Sequence, residues 1–271
     1  MSRYHVTPKL VWLFDLDNTL HNASHAIFPA INNNMNALIS RVLAQQDLPA
    51  HPDAVNEVRV RYWQRYGATL LGMVRHHGVR AEDFLHEAHQ FDNLAQMIRA
   101  ERGIAKLLKR LPGRKILLTN APRAYARSVV RHLGLHRHFA EHVPIESMQV
   151  HKQWRPKPSK LLLRRLLRQR GLAASRCVLV EDSIENLKSA KFLGMRTVWF
   201  SGFSPRVFFR PSSALSASPA RARALRSLSP RPLSSGRGGR TRSGGRRVSA
   251  LVLFLRDRPR DFSSWRVTRQ I

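Results

Sequence analysis

The sequence predicts an α/β fold in which a doubly wound parallel sheet carries a helical insertion and is followed by an Arg-rich tail. Three observations lead to this prediction. Short apolar runs end on polar residues, amphipathic segments separate these runs, and the composition of the 271-residue chain changes sharply near Gly202. Strands that alternate with helices are typical of a parallel sheet covered by helices on both faces.

Four unbroken apolar runs are the predicted strands. Apolar runs of this length suit strands that are buried on both faces, as in a parallel sheet. Because the carboxyl ends of parallel strands meet at one edge of the sheet, polar residues that follow the runs are expected to converge there. The runs are 10–14 followed by Asp15, 116–118 followed by Thr119, 178–180 followed by Glu181 and Asp182, and 197–200.

The segments between these runs carry helix start and stop signals. Pro122 is suited to open a helix that Gly134 would end, and Ser183 is suited to cap a helix that Gly194 would end. Residues 160–170 place Leu and Arg at helical spacing on opposite faces. We therefore expect a helix after the second run and two more around the third.

The stretch between the first and second strands is much longer than a simple crossover. It has apolar residues at helical spacing, beginning with Met35, Leu38 and Val42, and few strand signals. We expect residues 22–103 to form an α-helical cap over the carboxyl edge of the sheet. The α/β core would then consist of residues 1–21 and 104–201.

The tail, residues 202–271, accounts for much of the charge. The chain has 47 Lys+Arg against 17 Asp+Glu, a net charge of +30, and the tail contains 16 Arg, no Lys and 2 acids. Its Arg/Ser/Pro/Ala/Gly-rich composition is too polar to bury a core, so we expect disorder there. Two interpretations stay open, namely an arm that binds nucleic acid and a frameshifted terminus of the gene.

Composition also excludes some classes of protein. Cys177 is the single cysteine, so a disulfide scaffold is excluded, and we expect it to fill space in the core. No apolar stretch reaches the roughly 18 residues that a membrane span needs. We expect a cytoplasmic protein with no membrane partner, and the sequence does not indicate its oligomeric state.

The sharpest functional signal is the segment Asp15-Leu16-Asp17-Asn18-Thr19, directly after the first strand. Two carboxylates two residues apart at a strand end can meet one divalent cation and one phosphate group. The first carboxylate can attack phosphorus, since carboxylates form acyl-phosphate intermediates. The second can protonate the leaving oxygen and later deprotonate the hydrolytic water. Taken alone, the pattern is also compatible with a solvated turn.

Three more motifs follow the first, which spans residues 10–19. They are Thr119 with Asn120 after the second apolar run, Lys157 before the amphipathic segment, and Glu181 with Asp182 after the third run. Together the four resemble the motifs of the haloacid dehalogenase (HAD) superfamily, which has Asp-x-Asp-x-Thr after an apolar strand, a strand that ends in Thr or Ser, a basic residue before a helix, and an acidic pair after another strand. The resemblance covers residues 10–200 and implies a Rossmann-like core.

The resemblance implies a nucleophile, an acid/base residue and a metal site. Asp15 would attack phosphorus, and Asp17 would act first as acid and then as base. Mg²⁺ would be held by Asp15, by Asp182 and by the backbone carbonyl of Asp17, because hard cations prefer oxygen ligands.

Other matched positions would stabilise the phosphoryl group. Thr119, the adjacent Asn120 and nearby backbone N–H groups would bind phosphate oxygens, and Lys157 would pair with Asp15 and phosphate as a point charge. The dehalogenase branch of the superfamily lacks the second aspartate, so Asp17 favours a phosphatase or a mutase.

Within the cap, residues 62–92 resemble the pyrimidine 5′-nucleotidase subgroup, and Asn18 fits the subgroup's version of the first motif. The implied substrate is a small phosphorylated metabolite, a pyrimidine nucleoside 5′-monophosphate such as UMP or CMP. Sugar phosphates, phosphoglycolate and a β-phosphoglucomutase-like reaction are the alternatives. The candidate residues for base or sugar recognition are Tyr66, Thr69, Leu70 and His89.

Overall fold

A computed structural model describes residues 10–100 and 102–203, and within them five parallel strands form the central sheet. Beyond its first two residues, the predicted tail lies outside the described residues, so both interpretations of it stay predictions. The sheet order is β3-β2-β1-β6-β7, and β4 and β5 form a separate antiparallel hairpin. The strands are β1 Val11–Phe14, β2 Arg114–Leu118, β3 Glu141–Val143, β4 Gln149–Val150, β5 Gln153–Trp154, β6 Cys177–Glu181 and β7 Arg196–Trp199.

Nine α-helices accompany these strands in the described part of the chain. Six of them lie between β1 and β2, and the other three alternate with the remaining strands. They are α1 Ile27–Ala44, α2 Pro52–Tyr66, α3 Thr69–His77, α4 Ala81–Ala88, α5 Leu94–Met97, α6 Ile104–Arg110, α7 Arg123–His132, α8 Lys160–Gln169 and α9 Ile184–Phe192.

None of the helices in residues 10–100 and 102–203 is both long enough and apolar enough to cross a membrane.

Alternate residues of the central strand face two different hydrophobic cores. Trp12 and Phe14 pack on one side of the sheet with apolar residues of α6 and α7. Val11 and Leu13 pack on the other side with those of α8 and α9. Both faces of β1 are therefore buried, as the unbroken apolar run predicts, and the doubly wound α/β class is confirmed.

The cap is helical, as predicted, and it has a hydrophobic core of its own. That core joins α1, α2, α3 and α4 through residues such as Ile39, Val55, Met73 and Phe84. Gly72 lets α2 and α3 approach closely, because a Cβ at this position would lie 2.1 Å from the Tyr62 ring. The predicted limits at 22 and 103 enclose α1 to α5, and the domain boundaries themselves stay a prediction.

The helix termini follow the sequence signals with one difference. Pro122 and Ser183 occupy the residue before α7 and α9, as predicted, but the Ser183 side chain makes no capping hydrogen bond. Ser159 does cap its helix, since its hydroxyl accepts a hydrogen bond from the Leu162 N–H at 3.3 Å. Cys177 is the first residue of β6 and lies fully buried in the core, as expected.

Leu13→Ala should lower the free energy of unfolding by about 2–5 kcal/mol, because it removes a fully buried side chain from the middle of the sheet. The matched control is Leu161→Ala on α8, where the leucine is 48% exposed and the loss should stay below about 0.5 kcal/mol. Urea unfolding followed by circular dichroism measures both. Equal losses in the two variants would contradict the proposed packing.

Candidate active site

The sheet topology brings the polar residues that end β1, β2 and β6 to one edge. β1 lies between the other two strands, with Leu13 opposite Ile116 on one side and Leu179 on the other. The Asp15 N–H continues this pairing by donating to the Val180 carbonyl at 3.0 Å. The predicted convergence of strand ends is therefore present in the structure, and Asp15 lies at its centre.

Lys157 joins two of these strand ends. Its Nζ lies 2.7 Å from Oδ1 of Asp15 and 2.7 Å from Oε2 of Glu181, and the residue is only 4% exposed. Asn120 holds the lysine backbone from β2, because its side chain accepts from the Lys157 N–H at 2.9 Å and donates to the Lys157 carbonyl at 3.1 Å. The Asn120 side chain thus contacts Lys157, and a contact with phosphate would fall to its main chain.

Asp15 is buried and carries a hydrogen bond on each carboxylate oxygen. Lys157 donates to Oδ1, and the Thr19 hydroxyl donates to Oδ2 at 3.1 Å. Burial and then the negative charge of Glu181 raise the pKa of Asp15 to about 7, although Lys157 opposes the shift. Asp15 is therefore a desolvated carboxylate whose orientation is set by two neighbours.

Burial and neighbouring charges also shift the pKa values of the residues around Asp15. Burial raises the pKa of Glu181 against the opposing effect of Lys157. Burial alone would lower the pKa of Lys157, but the charges of Asp15 and Glu181 outweigh it and raise that pKa. Burial and then the charge of Asp15 also raise the pKa of Asp182. One buried ammonium therefore compensates only part of the negative charge of three carboxylates.

These carboxylates form a group that suits a hard cation. Asp15, Glu181 and Asp182 each offer one oxygen, and these oxygens lie within 4.8 Å of one another. Oxygen donors of this kind are what Mg²⁺ prefers. A cation bound there would also be favourable electrostatically, because it would offset the burial and the mutual repulsion that raise the pKa values of these carboxyl groups. The Asp17 side chain is outside this group, and its backbone contribution stays a prediction.

Asp17 faces a different set of residues. Its Oδ1 accepts a hydrogen bond from the Tyr125 hydroxyl at 2.6 Å and lies 2.8 Å from Nε2 of His21. Tyr125 is on α7, and His21 is four residues after Asp17 in the chain. Sequence reasoning missed both residues. His21 lies two residues after the first motif, but neither its position nor the helical pattern around Tyr125 carries a signal of contact with Asp17.

Thr119 directly follows β2 and is buried. Its hydroxyl oxygen accepts a hydrogen bond from the Ala121 N–H at 3.0 Å, and its own N–H donates to the Val143 carbonyl at 3.1 Å. The hydroxyl is therefore held in place by the turn after β2 and keeps its proton available for an acceptor. Its predicted contact with phosphate stays a prediction.

The predicted recognition residues of the cap divide into two groups. The Tyr66 hydroxyl lies 2.6 Å from Nε2 of His76, the Thr69 hydroxyl donates to the Arg59 carbonyl at 3.0 Å, and Leu70 packs in the cap core. Among the described residues, no hydrogen bond links these three to Asp15 or Asp17. The ring of the fourth, His89, lies 5.4 Å from that of Tyr125 between centroids. His89 is thus the candidate that the structure brings beside a partner of Asp17.

Comparison with known proteins decides the family. The sequence model of the haloacid dehalogenase-like hydrolases matches residues 11–194. The chain belongs to this family. The match covers four of the five strands of the sheet, the cap and the functional residues of all four motifs, so the resemblance predicted from the sequence is confirmed at the level of the family.

Two individual proteins illustrate what this HAD-like hydrolase is similar to. A 5′-nucleotidase of Pseudomonas aeruginosa is 28% identical over 196 residues, which are 69% of this chain and 80% of the relative. The crystal structure of a HAD phosphatase from Thermococcus onnurineus superposes with a TM-score of 0.50 and 16% identity, covering 74% of this chain and 90% of that one. At that identity, the second comparison concerns the fold alone.

Binding of Mg²⁺ to this HAD-like hydrolase should weaken as the pH falls below about 7. Protons compete with the cation for Asp15, whose pKa is raised to about 7, so the affinity should drop by about tenfold per pH unit below that value. A thermal-shift titration with MgCl₂ at pH 8 and pH 5.5 measures this, since each kcal/mol of binding raises the midpoint by about 2–4 °C.

Two variants make this measurement specific to the carboxylate group. Asp182→Asn should lose the Mg²⁺-dependent shift at both pH values, whereas Asp53→Asn, at an exposed carboxylate in the first turn of α2, should retain it. An Asp182→Asn protein that Mg²⁺ stabilises as much as the unmodified protein would contradict this assignment of the metal site.

Proposed function

We propose that this HAD-like hydrolase is a Mg²⁺-dependent phosphomonoesterase that forms a phosphoryl-enzyme intermediate on Asp15 and acts on pyrimidine nucleoside 5′-monophosphates. One observation carries the proposal. Asp15 is a buried carboxylate that Lys157 holds at 2.7 Å, within a group of oxygen ligands and two residues before a second carboxylate. This combination supports attack by Asp15 on the phosphorus of a phosphate ester, because the lysine and a bound cation would offset the negative charge of both reactants.

In the first step, a carboxylate oxygen of Asp15 attacks phosphorus and forms a P–O bond while the bond from phosphorus to the ester oxygen breaks. Asp17 gives its proton to the departing oxygen, so that an alcohol leaves rather than an alkoxide. Burial of Asp15 supports this role, because a desolvated carboxylate loses little hydration on reaching phosphorus.

In the second step, a water molecule attacks the phosphorus of the intermediate. Asp17, now a carboxylate, takes a proton from this water, and the bond between phosphorus and the Asp15 oxygen breaks. Inorganic phosphate leaves, the Asp15 carboxylate is restored, and Asp17 again carries the proton. The two steps return the enzyme to its starting state.

Charge neutralisation would supply most of the rate enhancement, as is general for phosphoryl transfer. Lys157 would contact the phosphoryl oxygens from beside Asp15, and the Thr119 hydroxyl would donate to another of them. Mg²⁺, held by Asp15, by Asp182 and by the backbone carbonyl of Asp17, would supply positive charge against the same oxygens. Glu181 would keep Lys157 in place through the second 2.7 Å contact.

Two further observations support a nucleotide as the substrate. The relative from Pseudomonas aeruginosa bears the name 5′-nucleotidase, and the sequence of residues 62–92 resembles that of the pyrimidine-specific subgroup. Aromatic rings also gather near Asp17, where the leaving group would lie. Ring centroids of His89 and Phe91 are 5.4 and 5.7 Å from that of Tyr125, and His89 and Phe91 are only half-buried. Such rings favour a flat base in the leaving group.

A panel of phosphate esters tests the proposed substrate. With Mg²⁺ present, kcat/KM for UMP and CMP should exceed that for glucose 6-phosphate and phosphoglycolate by about fivefold or more, since one good aromatic contact contributes roughly 1 kcal/mol. It should also exceed kcat/KM for AMP, because residues 62–92 resemble the pyrimidine-specific subgroup. EDTA should abolish turnover. If phosphoglycolate or a sugar phosphate were turned over faster than UMP and CMP, that compound would replace the nucleotide as the proposed substrate. If none of the esters were hydrolysed, the proposal would be overturned.

Two substitutions test the chemistry independently of the substrate. Asp15→Asn should reduce kcat by about 10³-fold or more because the nucleophile is lost. Asp17→Asn should reduce it by about 10²- to 10⁴-fold because the proton donor is lost. Asp53→Asn is the control and should leave kcat unchanged. Activity that survives Asp15→Asn at the original level would exclude Asp15 as nucleophile.

A further inference from the structure

One oxygen of Asp17 is engaged by two residues from different parts of the fold. The Tyr125 hydroxyl, on α7, donates to Oδ1 at 2.6 Å, and Nε2 of His21, in the segment after β1, lies 2.8 Å from the same atom. The Tyr125 hydroxyl and Nε2 of His21 are themselves 3.4 Å apart. The three side chains therefore form one compact cluster around a single carboxylate oxygen.

Tyr125 is held firmly enough to direct this contact. Its ring is buried in the core beneath the sheet, and the rings of His89 and Phe91 cover it from the segment after α4. Burial and then the charge of Asp17 raise the pKa of Tyr125 far above its ordinary value, so the hydroxyl keeps its proton. A buried tyrosine hydroxyl needs a hydrogen-bond partner, and Asp17 is the acceptor that it has here.

His21 donates to Asp17 in the tautomer that fits its surroundings. The residue is 0% exposed, and its Nδ1 is buried with no hydrogen-bond partner among the described residues. A proton on Nδ1 would leave a buried N–H unpaired and would turn the lone pair of Nε2 towards a carboxylate oxygen. A proton on Nε2 avoids both costs and provides the second hydrogen bond to Oδ1.

The two carboxylate oxygens of Asp17 differ in their hydrogen bonding, because Oδ1 faces both Tyr125 and His21. Among the described residues, no hydrogen bond is made to Oδ2. If the proton sat on Oδ1 instead, an O–H group would face the two donors and the hydrogen bonds from Tyr125 and His21 would be weakened or lost. The orientation of the group is therefore fixed, and a proton on Asp17 belongs on Oδ2.

We propose that Tyr125 and His21 are positioning residues that hold Oδ1 of Asp17, so that Oδ2 carries the proton exchanged with the leaving group and then with water. The inference rests on the proposed phosphatase chemistry and adds to it the two residues that orient the carboxyl group of Asp17. Neither residue transfers a proton itself. Each acts through Asp17, so the loss of either should impair those reactions in which the leaving oxygen needs a proton.

The test is the dependence of kcat/KM on the leaving group in Tyr125→Phe. A series of aryl phosphates runs from p-nitrophenyl phosphate, whose phenolate leaves without help, to phenyl phosphate, whose phenolate benefits from protonation. The variant should lose about 10- to 100-fold in kcat/KM for phenyl phosphate and less than about threefold for p-nitrophenyl phosphate. Because kcat/KM covers the steps up to formation of the phosphoryl-enzyme, slow hydrolysis of that intermediate does not obscure the result.

The matched control is Tyr62→Phe, which removes a hydroxyl that lies 2.8 Å from Nε2 of His77 in the cap. It should leave the leaving-group dependence unchanged. His21 provides a second pair of variants in case Tyr125→Phe does not fold. His21→Gln keeps an N–H donor near the place of Nε2 and should retain most activity towards phenyl phosphate, whereas His21→Leu should lose it selectively.

The outcomes separate this inference from the proposed function. If the unmodified protein hydrolyses none of the aryl phosphates with Mg²⁺, the phosphatase proposal is wrong and the inference falls with it. If the unmodified protein is active, and Tyr125→Phe lowers all the aryl phosphates by one common factor or lowers none, the positioning role is wrong while the phosphatase function stands. Selective loss with rescue by His21→Gln supports both.

Discussion

The two ion pairs of Lys157 are the interaction on which the rest of the site depends. Asp15 and Glu181 are both buried at neighbouring strand ends, and two carboxylates cannot stay ionised there without a compensating charge. Removal of one partner from a buried ion pair typically costs about 3–5 kcal/mol, because the remaining charge is left uncompensated. The lysine thus permits a carboxylate to be desolvated and still available as a nucleophile.

The first motif divides the site into two sides. Asp15 faces Lys157 and the acidic group, whereas Asp17 faces Tyr125 and His21, and the buried Leu16 between them anchors the turn in the core. Asn18 adopts a left-handed conformation with φ of 58°, and its side chain exchanges hydrogen bonds with Ser24 at 3.0 and 2.8 Å. Asparagine tolerates this region of φ, so the position can contribute two hydrogen bonds that glycine could not. One short turn therefore presents two carboxylates to two chemically different surroundings.

Sequence reasoning predicted the features that local patterns encode. Apolar runs predicted β1, β2, β6 and β7, and strand-end polarity predicted that Asp15, Thr119 and Glu181 would meet at one edge. It did not predict the pairing of Asn120 with the Lys157 backbone or of Tyr125 with Asp17. These contacts join residues 37 and 108 positions apart, and they depend on how elements pack rather than on any period in the sequence.

The recognition residues of the cap illustrate the same limit, because Tyr66 and Thr69 have hydrogen-bond partners within the cap that no spacing reveals.

Covalent capture of the phosphoryl group is the most direct test of the central claim, that Asp15 attacks phosphorus. The Asp17→Asn variant should form the intermediate with p-nitrophenyl phosphate and hydrolyse it slowly, because the base for the hydrolytic water is missing. After acid quenching and proteolysis, mass spectrometry should find one phosphoryl group on the peptide that contains Asp15, labile to hydroxylamine as an acyl phosphate is. A phosphoryl group on any other residue, or release of p-nitrophenol in a single turnover with no label on the protein, would contradict the claim.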